Sequence, residues 1–189
     1  MKTLPLPALT RRPAVRRRPR FTLIELLVVI AVIALLASFL LPALNTAKEK
    51  TRRVKCLSQL KLVGQALRLY ATDYDDVYPD GDNAVGLAKL YTGAFITGTD
   101  YFVCPSIAPA TIPDVTLDDA HLDYVYRGTL SLLLCGPSVG LAADRTRTAN
   151  HAKYGNVLFG DGHVTGFIGS DWASQDNAHG TGGWPADPH

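Results

Sequence analysis

The sequence predicts an α+β chain: one long amino-terminal helix, apolar in its first half and one-sided in its second, with the second half covered by a small antiparallel sheet. Three observations carry that expectation. Residues 26–44 hold no charge and only Ser38 as a polar side chain, a run that at helical rise spans about 30 Å, the thickness of a bilayer's hydrocarbon core. From Thr46 onward the pattern changes: Val54, Leu57, Leu60, Val63/Gly64, Leu67, Tyr70/Ala71 and Tyr74 recur at steps of three and four, the spacing of an amphipathic helix. Near the other end, Asn156–Gly160 and His163–Phe167 flank Asp161-Gly162, a dipeptide suited to a two-residue type I′ hairpin turn.

The helix is expected from about Thr22 to about Tyr74, because no Gly-Pro punctuation separates its halves and Pro42 inside so helical a context bends a helix rather than stopping it. The run starts behind a basic stretch, yet it is longer than the apolar core of a secretory signal peptide and no A-x-A-like site follows. A lone carboxylate, Glu25, stands in its first turn. An acid there disfavours insertion unless a positive group meets it, so Glu25 is a functional candidate.

Charge is segregated. Residues 1–20 hold seven Lys and Arg and no acid, whereas residues 71–189 hold fifteen acids against Lys89, Arg127, Arg145, Arg147 and Lys153. An acidic outer domain argues against nucleic acid as a partner. Lys48, Lys50, Arg52, Arg53, Lys55 and Lys61 follow the apolar run closely, so the count of basic residues at the two helix ends barely decides orientation; the cluster itself reads as a solvated helix face, with lipid headgroups as a further contact.

Phe21-Thr-Leu-Ile-Glu25-Leu-Leu-Val-Val-Ile30, with Pro42 later in the same helix, resembles the prepilin-type processing and methylation segment of type IV pilins and type II secretion pseudopilins. The resemblance implies a pilin-like fold. It also implies that prepilin peptidase cuts between Arg20 and Phe21, that the new amino terminus at Phe21 is methylated, and that Glu25 and Pro42 serve assembly. Arg20 stands where the family usually carries glycine. Arg52 to Pro79 extends the likeness, and His151, nine residues, then Asp161-Gly162 resembles the carboxy-terminal H-x9-DG signature of a subgroup of pilin-like proteins. The implied partners are copies of the chain or related subunits, the peptidase, an inner-membrane assembly platform and the lipid bilayer. The implied location is a single pass through the inner membrane, leader inside, with the bulk in the periplasm or in a periplasmic or surface fibre.

The expected organisation is therefore a basic leader (1–20), a transmembrane and assembly segment (21–44), the amphipathic half of the helix (45–78), a small β-rich domain (79–170) and a loose tail (171–189). Within the domain, Leu87–Tyr91 is expected as a short helix. Tyr101–Cys104, Tyr124–Tyr126 and Leu130–Cys135 are expected as strands, and 112–119 as a Pro-bounded loop. Asp73, Asp75, Asp76, Asp80 and Asp82 do not match EF-hand spacing and read as a helix end running into a Pro-Asp-Gly turn.

In an exported domain Cys104 and Cys135 are candidates for a disulfide, with Cys56 left on the helix; three buried thiols are the other reading. His151, Asp161 and His163 offer ligand types for a divalent metal, against a turn aspartate flanked by surface histidines. The resemblance to major pseudopilins adds calcium near Asp161 as a further option. Gly136-Pro-Ser138-Val-Gly140 with Asp144 and His151 downstream matches a hydrolase order, but no strand–helix alternation supplies a nucleophile elbow, and no enzymatic activity is expected. The function these readings favour is a structural subunit of a type II secretion pseudopilus or type IV pilus-like fibre. The other readings are a single-pass binding protein that does not polymerise and a small metal-dependent or serine hydrolase.

Overall fold

A computed structural model describes residues 22–106, 117–145, 151, 153–170 and 172–174. The cleavage site at Arg20–Phe21, the leader and most of the 112–119 loop lie outside the described residues. Helix α1 runs Leu23–Asp73, within a residue of the expected bounds at each end. The chain divides into two compact units inside this helix, Met1–Ala43 and Leu44–His189.

In the first unit, the large aliphatic side chains from Leu23 to Leu41 are exposed all round. The segment is long and apolar enough to cross a membrane by length and composition. Its start is tied by a capping box. Glu25 N–H donates to Thr22 Oγ1 (3.3 Å), while Glu25 Oε2 accepts from the Thr22 backbone N–H (2.8 Å) and from the Thr22 hydroxyl (2.7 Å).

In the second unit, α1 buries Cys56, Gln59, Leu60, Val63, Gly64, Ala66, Leu67 and Ala71, the three-and-four spacing of a single face. The phase differs from the expected stripe at both ends: Val54 and Tyr74 are exposed, and Cys56 takes the inward position. Helix α2, Asn83–Thr92, is longer than the five residues expected. It follows a Gly81 turn with φ +87° and packs Ala84, Leu87 and Leu90 into the core.

Strands β1 (Tyr124–Tyr126), β2 (Gly140–Asp144), β3 (Tyr154–Phe159) and β4 (Val164–Ile168) form one antiparallel sheet in sequence order. Alternate residues on the strands serve two clusters, as the pleat requires, except at the β2 irregularity, where the adjacent Leu141 and Ala142 serve the same one. Tyr124, Tyr126, Leu141, Ala142 and Leu158 join Leu60, Val63 and Leu67 of α1. Val125, Ala143, Val157, Phe159 and Phe167 gather instead around Trp172. The expected architecture, a long helix packed on a small antiparallel sheet, is the observed one.

Several local expectations change. Thr99–Phe102 is a 3-10 helix rather than a strand. Leu130–Cys135 forms turns with a lone bridge between Val77 and Ser131; Leu133 and Leu134 are 84% and 78% exposed, so that stretch does not use its apolar side chains as a strand would. The strand next to it is β2, Gly-Leu-Ala-Ala-Asp, which the sequence did not announce. The hairpin turn has three residues, Gly160-Asp161-Gly162. Gly162 N–H donates to Phe159 O (2.8 Å) and Phe159 N–H to His163 O (2.9 Å), and only Gly162 adopts positive φ (+88°). A type I turn closed by a left-handed glycine replaces the type I′ turn. Beyond Ser170, where a loose tail was expected, Trp172 is buried in a 3-10 turn, Trp172–Ser174. Its ring lies so close to Gly155 that a Cβ there would sit 2.0 Å from Trp172 Cε2.

Candidate functional site

The hairpin does not assemble the metal set expected from His151, Asp161 and His163. Asp161 Oδ1 accepts from the His163 backbone N–H (3.0 Å) and faces its ring Nδ1 (2.5 Å), and the His163 ring stacks on Phe159 with centroids 4.5 Å apart. Burial is the largest single influence on Asp161 and raises its pKa, but the two bonds from His163, together with the charges of His163 and Arg68, outweigh it and hold the carboxyl below its ordinary value. His151 sits elsewhere, buried, in a different company.

That company is a cluster of two thiols and an imidazole. Cys56 comes from the buried face of α1 because it lies one turn before Leu60 on the same stripe. Cys104 follows the Thr99–Phe102 turn, where its backbone N–H donates to the Asp123 carboxylate (2.8 Å). His151 stands just ahead of β3. The Cys56 and Cys104 sulfurs are 3.8 Å apart, and Cys104 Sγ is 3.8 Å from His151 Nε2. The ligating atoms of all three residues lie within 4.8 Å of one another. All three cysteines are free thiols, and the neighbour of Cys104 is Cys56; Cys135, the partner expected from the sequence, is buried against Gly160 at the hairpin.

Carboxylates and hydroxyls hold this cluster from outside. His151 Nδ1 faces Glu49 Oε1 at 2.7 Å and Ser106 Oγ at 3.1 Å. Glu49 also pairs with Arg53 (3.1 Å) one turn along α1, and the Arg53 guanidinium lies 4.7 Å over the Tyr154 ring. The Cys56 thiol donates to Asp144 Oδ1 (2.8 Å) and neighbours the Tyr124 hydroxyl (3.1 Å). The other oxygen, Asp144 Oδ2, accepts from the Asn156 backbone N–H (2.7 Å) and side-chain amide (3.0 Å).

The electrostatics follow from these contacts. The bond from Cys56 does most to lower the Cys104 pKa, with burial opposing and His151 assisting; the Cys56 thiol is pushed up by the same bond and by burial. Burial disfavours the His151 imidazolium, yet Cys104 and Glu49 outweigh it and raise its pKa. Asp144 is pushed up to about 6 by burial, against the bonds from Cys56 and Asn156. The arrangement is an acid–base-linked pair of thiols with one imidazole, of the ligand types that bind borderline-soft divalent metals.

The serine hydrolase order is not assembled. Ser138 is exposed in the turn before β2, Asp144 is at the far end of that strand, and both ring nitrogens of His151 face other residues.

Comparison with known proteins bears on part of the chain. It is 38% identical over 77 residues to the type II secretion system core protein G of Vibrio cholerae serotype O1, a match covering 41% of this chain and 51% of that one. The proteins of the same name from Pectobacterium carotovorum subsp. carotovorum (38% over 76 residues) and Klebsiella pneumoniae (41% over 58 residues) match likewise. The chain is similar to pseudopilins. It spans about half the length of the curated relatives it matches. No protein-family model matches it, and no solved structure does.

The thiol–imidazole cluster was the site that sequence reasoning missed. The signal available was the phase of α1: Cys56 is four residues before Leu60, so a buried face through Leu60, Val63/Gly64 and Leu67 carries Cys56 inward.

Proposed function

We propose that this chain is a structural subunit of a type II secretion pseudopilus, held in the inner membrane by the first half of α1 until it assembles, with the sheet domain in the periplasm. The observation that carries the reading is the similarity to core protein G proteins, taken together with an apolar helix segment that no part of its own chain covers among the described residues. Leader removal at Arg20–Phe21 frees an amino group at Phe21, which is then methylated. The Glu25 carboxylate meets that group on a neighbouring subunit, so that two charges costly to bury singly are buried as a pair. The apolar faces of many such segments pack together, each buried methylene contributing about 0.8 kcal/mol relative to water. Related pilin-like subunits, the prepilin peptidase and an inner-membrane assembly platform are the partners this mechanism requires.

The reading is tested at its first step. The protein isolated from membranes of peptidase-competent cells should begin at Phe21, with the mass of a singly methylated amino terminus. A protein that retains its basic leader in those cells counts decisively against it.

A further inference from the structure

We propose that Cys56, Cys104 and His151 form a binding site for a transition-metal ion, zinc by its chemistry, that staples α1 to the segments preceding β1 and β3. The three residues are separated by 48 and 47 positions in sequence, yet all are buried and present soft or borderline ligand atoms to one another. The sulfur separation of 3.8 Å is far beyond a disulfide's length of about 2.05 Å. It equals the spacing of about 3.8 Å that two thiolates adopt when each lies about 2.3 Å from one tetrahedral zinc. The same construction places a thiolate and an imidazole nitrogen about 3.6 Å apart, close to the 3.8 Å between Cys104 Sγ and His151 Nε2.

The outer contacts match a metal site more closely than a packed core. A ligating histidine characteristically gives its second ring N–H to a carboxylate, which fixes ring and tautomer. Here Nε2 faces the thiols while Nδ1 faces Glu49 Oε1 at 2.7 Å. Asp144 Oδ1, 2.8 Å from the Cys56 thiol, is placed to take the proton that Cys56 gives up, its other oxygen being steered by the two bonds from Asn156. Two thiolates and a neutral imidazole balance the charge of a divalent ion, so the centre is neutral where it is buried. On binding, Cys56 passes its proton to Asp144 and Cys104 passes its proton to solvent, and a lone pair on each sulfur forms the metal bond; no oxidant or reductant takes part. The site does not depend on the assembly reading, since all its residues belong to one chain.

The test uses the full chain, purified in detergent, reduced, and stripped with a chelator. Titration with Zn2+ should reach one equivalent per chain. With Co2+ as the probe, sulfur-to-cobalt charge-transfer and tetrahedral ligand-field bands should appear in the wild-type chain and survive in Cys135→Ser. Cys56→Ser, Cys104→Ser and His151→Ala should each abolish stoichiometric binding. Glu49→Gln, which keeps the shape, should weaken zinc affinity about tenfold through the misdirected imidazole, a loss that a purely structural glutamate would not produce. The cobalt spectrum of the wild-type chain does not depend on any variant folding. A reduced wild-type chain that takes up neither ion at micromolar concentration overturns the proposal, and so does isolation of a Cys56–Cys104 disulfide that forms equally in the presence of saturating zinc.

Discussion

The two halves of α1 are one helix written in two codes. Between Leu23 and Leu41 the large aliphatic residues face every direction, and all of them are exposed; between Cys56 and Ala71 one side, carrying Cys56, Leu60, Val63, Leu67 and Ala71, is buried in the protein's own core, while Leu62 and Leu69 on the other side stay exposed. The first half leaves its apolar surface for lipid or for other copies to cover, so only length and composition constrain it. The second half has a fixed partner, so every third or fourth side chain is constrained in volume. The same residue type therefore means different things in the two places: a leucine in the first is solvent-matching to a membrane, and a leucine in the second is a piece of a close-packed interior.

The comparison is broken most severely at Glu25, the charge inside the apolar half. Glu25→Leu should abolish subunit assembly while leaving the membrane level of the monomer unchanged or higher, as read by crosslinking and by shearing of fibres at matched monomer levels. Unchanged assembly would shift the weight to an anchor that does not polymerise. Next comes a matched pair of truncations. Leu60→Ala, at a fully buried position, should destabilise the outer domain by about 2–5 kcal/mol. Leu35→Ala, where the side chain is 58% exposed, should stay within about 0.5 kcal/mol. Denaturant unfolding in detergent, followed by limited proteolysis of the sheet domain, separates them; equal losses would mean that the two halves are not differently specified. A further substitution sharpens the sheet side alone. Gly155→Ala places a methyl against Trp172 and should cost about 1–3 kcal/mol. Trp172→Ala in the same chain should recover much of that difference, because the two positions touch, and a double-mutant cycle measures the recovery.

What was legible in the sequence follows the same division. Helix α1 was readable in both halves because each has a strong signal, continuous apolarity in one and period in the other. The hairpin was readable from Asp161-Gly162, although the turn type was not: Gly160 joins the loop, and only Gly162 needs the left-handed region. Strand β2 was invisible because Gly140-Leu-Ala-Ala-Asp144 has little intrinsic strand preference. It is a strand because its neighbours β1 and β3 supply hydrogen bonds on both edges and its small side chains fit between two covered faces, a case of tertiary context overriding propensity. Leu130–Cys135 erred the other way: its leucines promised a strand, but Leu132 N–H and Ser131 Oγ turn to Asp76 O instead. The thiol–imidazole cluster has no short spacing to betray it. Its members arrive from a helix, a turn and a pre-strand segment, and only the fold brings them within reach.

The capping box at the start of α1 has one more implication. A carboxylate has two ends, and Thr22 engages Oε2 with both its backbone N–H and its hydroxyl. Among the described residues, no bond to Oε1 accompanies them. The group is thus aimed and half occupied, with its second oxygen available to a newcomer. In the proposed assembly the ammonium of a neighbouring subunit is received at that oxygen without unlatching the first turn, so the helix start need not fray for a subunit to dock. Joining and separating can then proceed as the meeting of finished surfaces, with the local geometry set in the lone chain before any neighbour arrives.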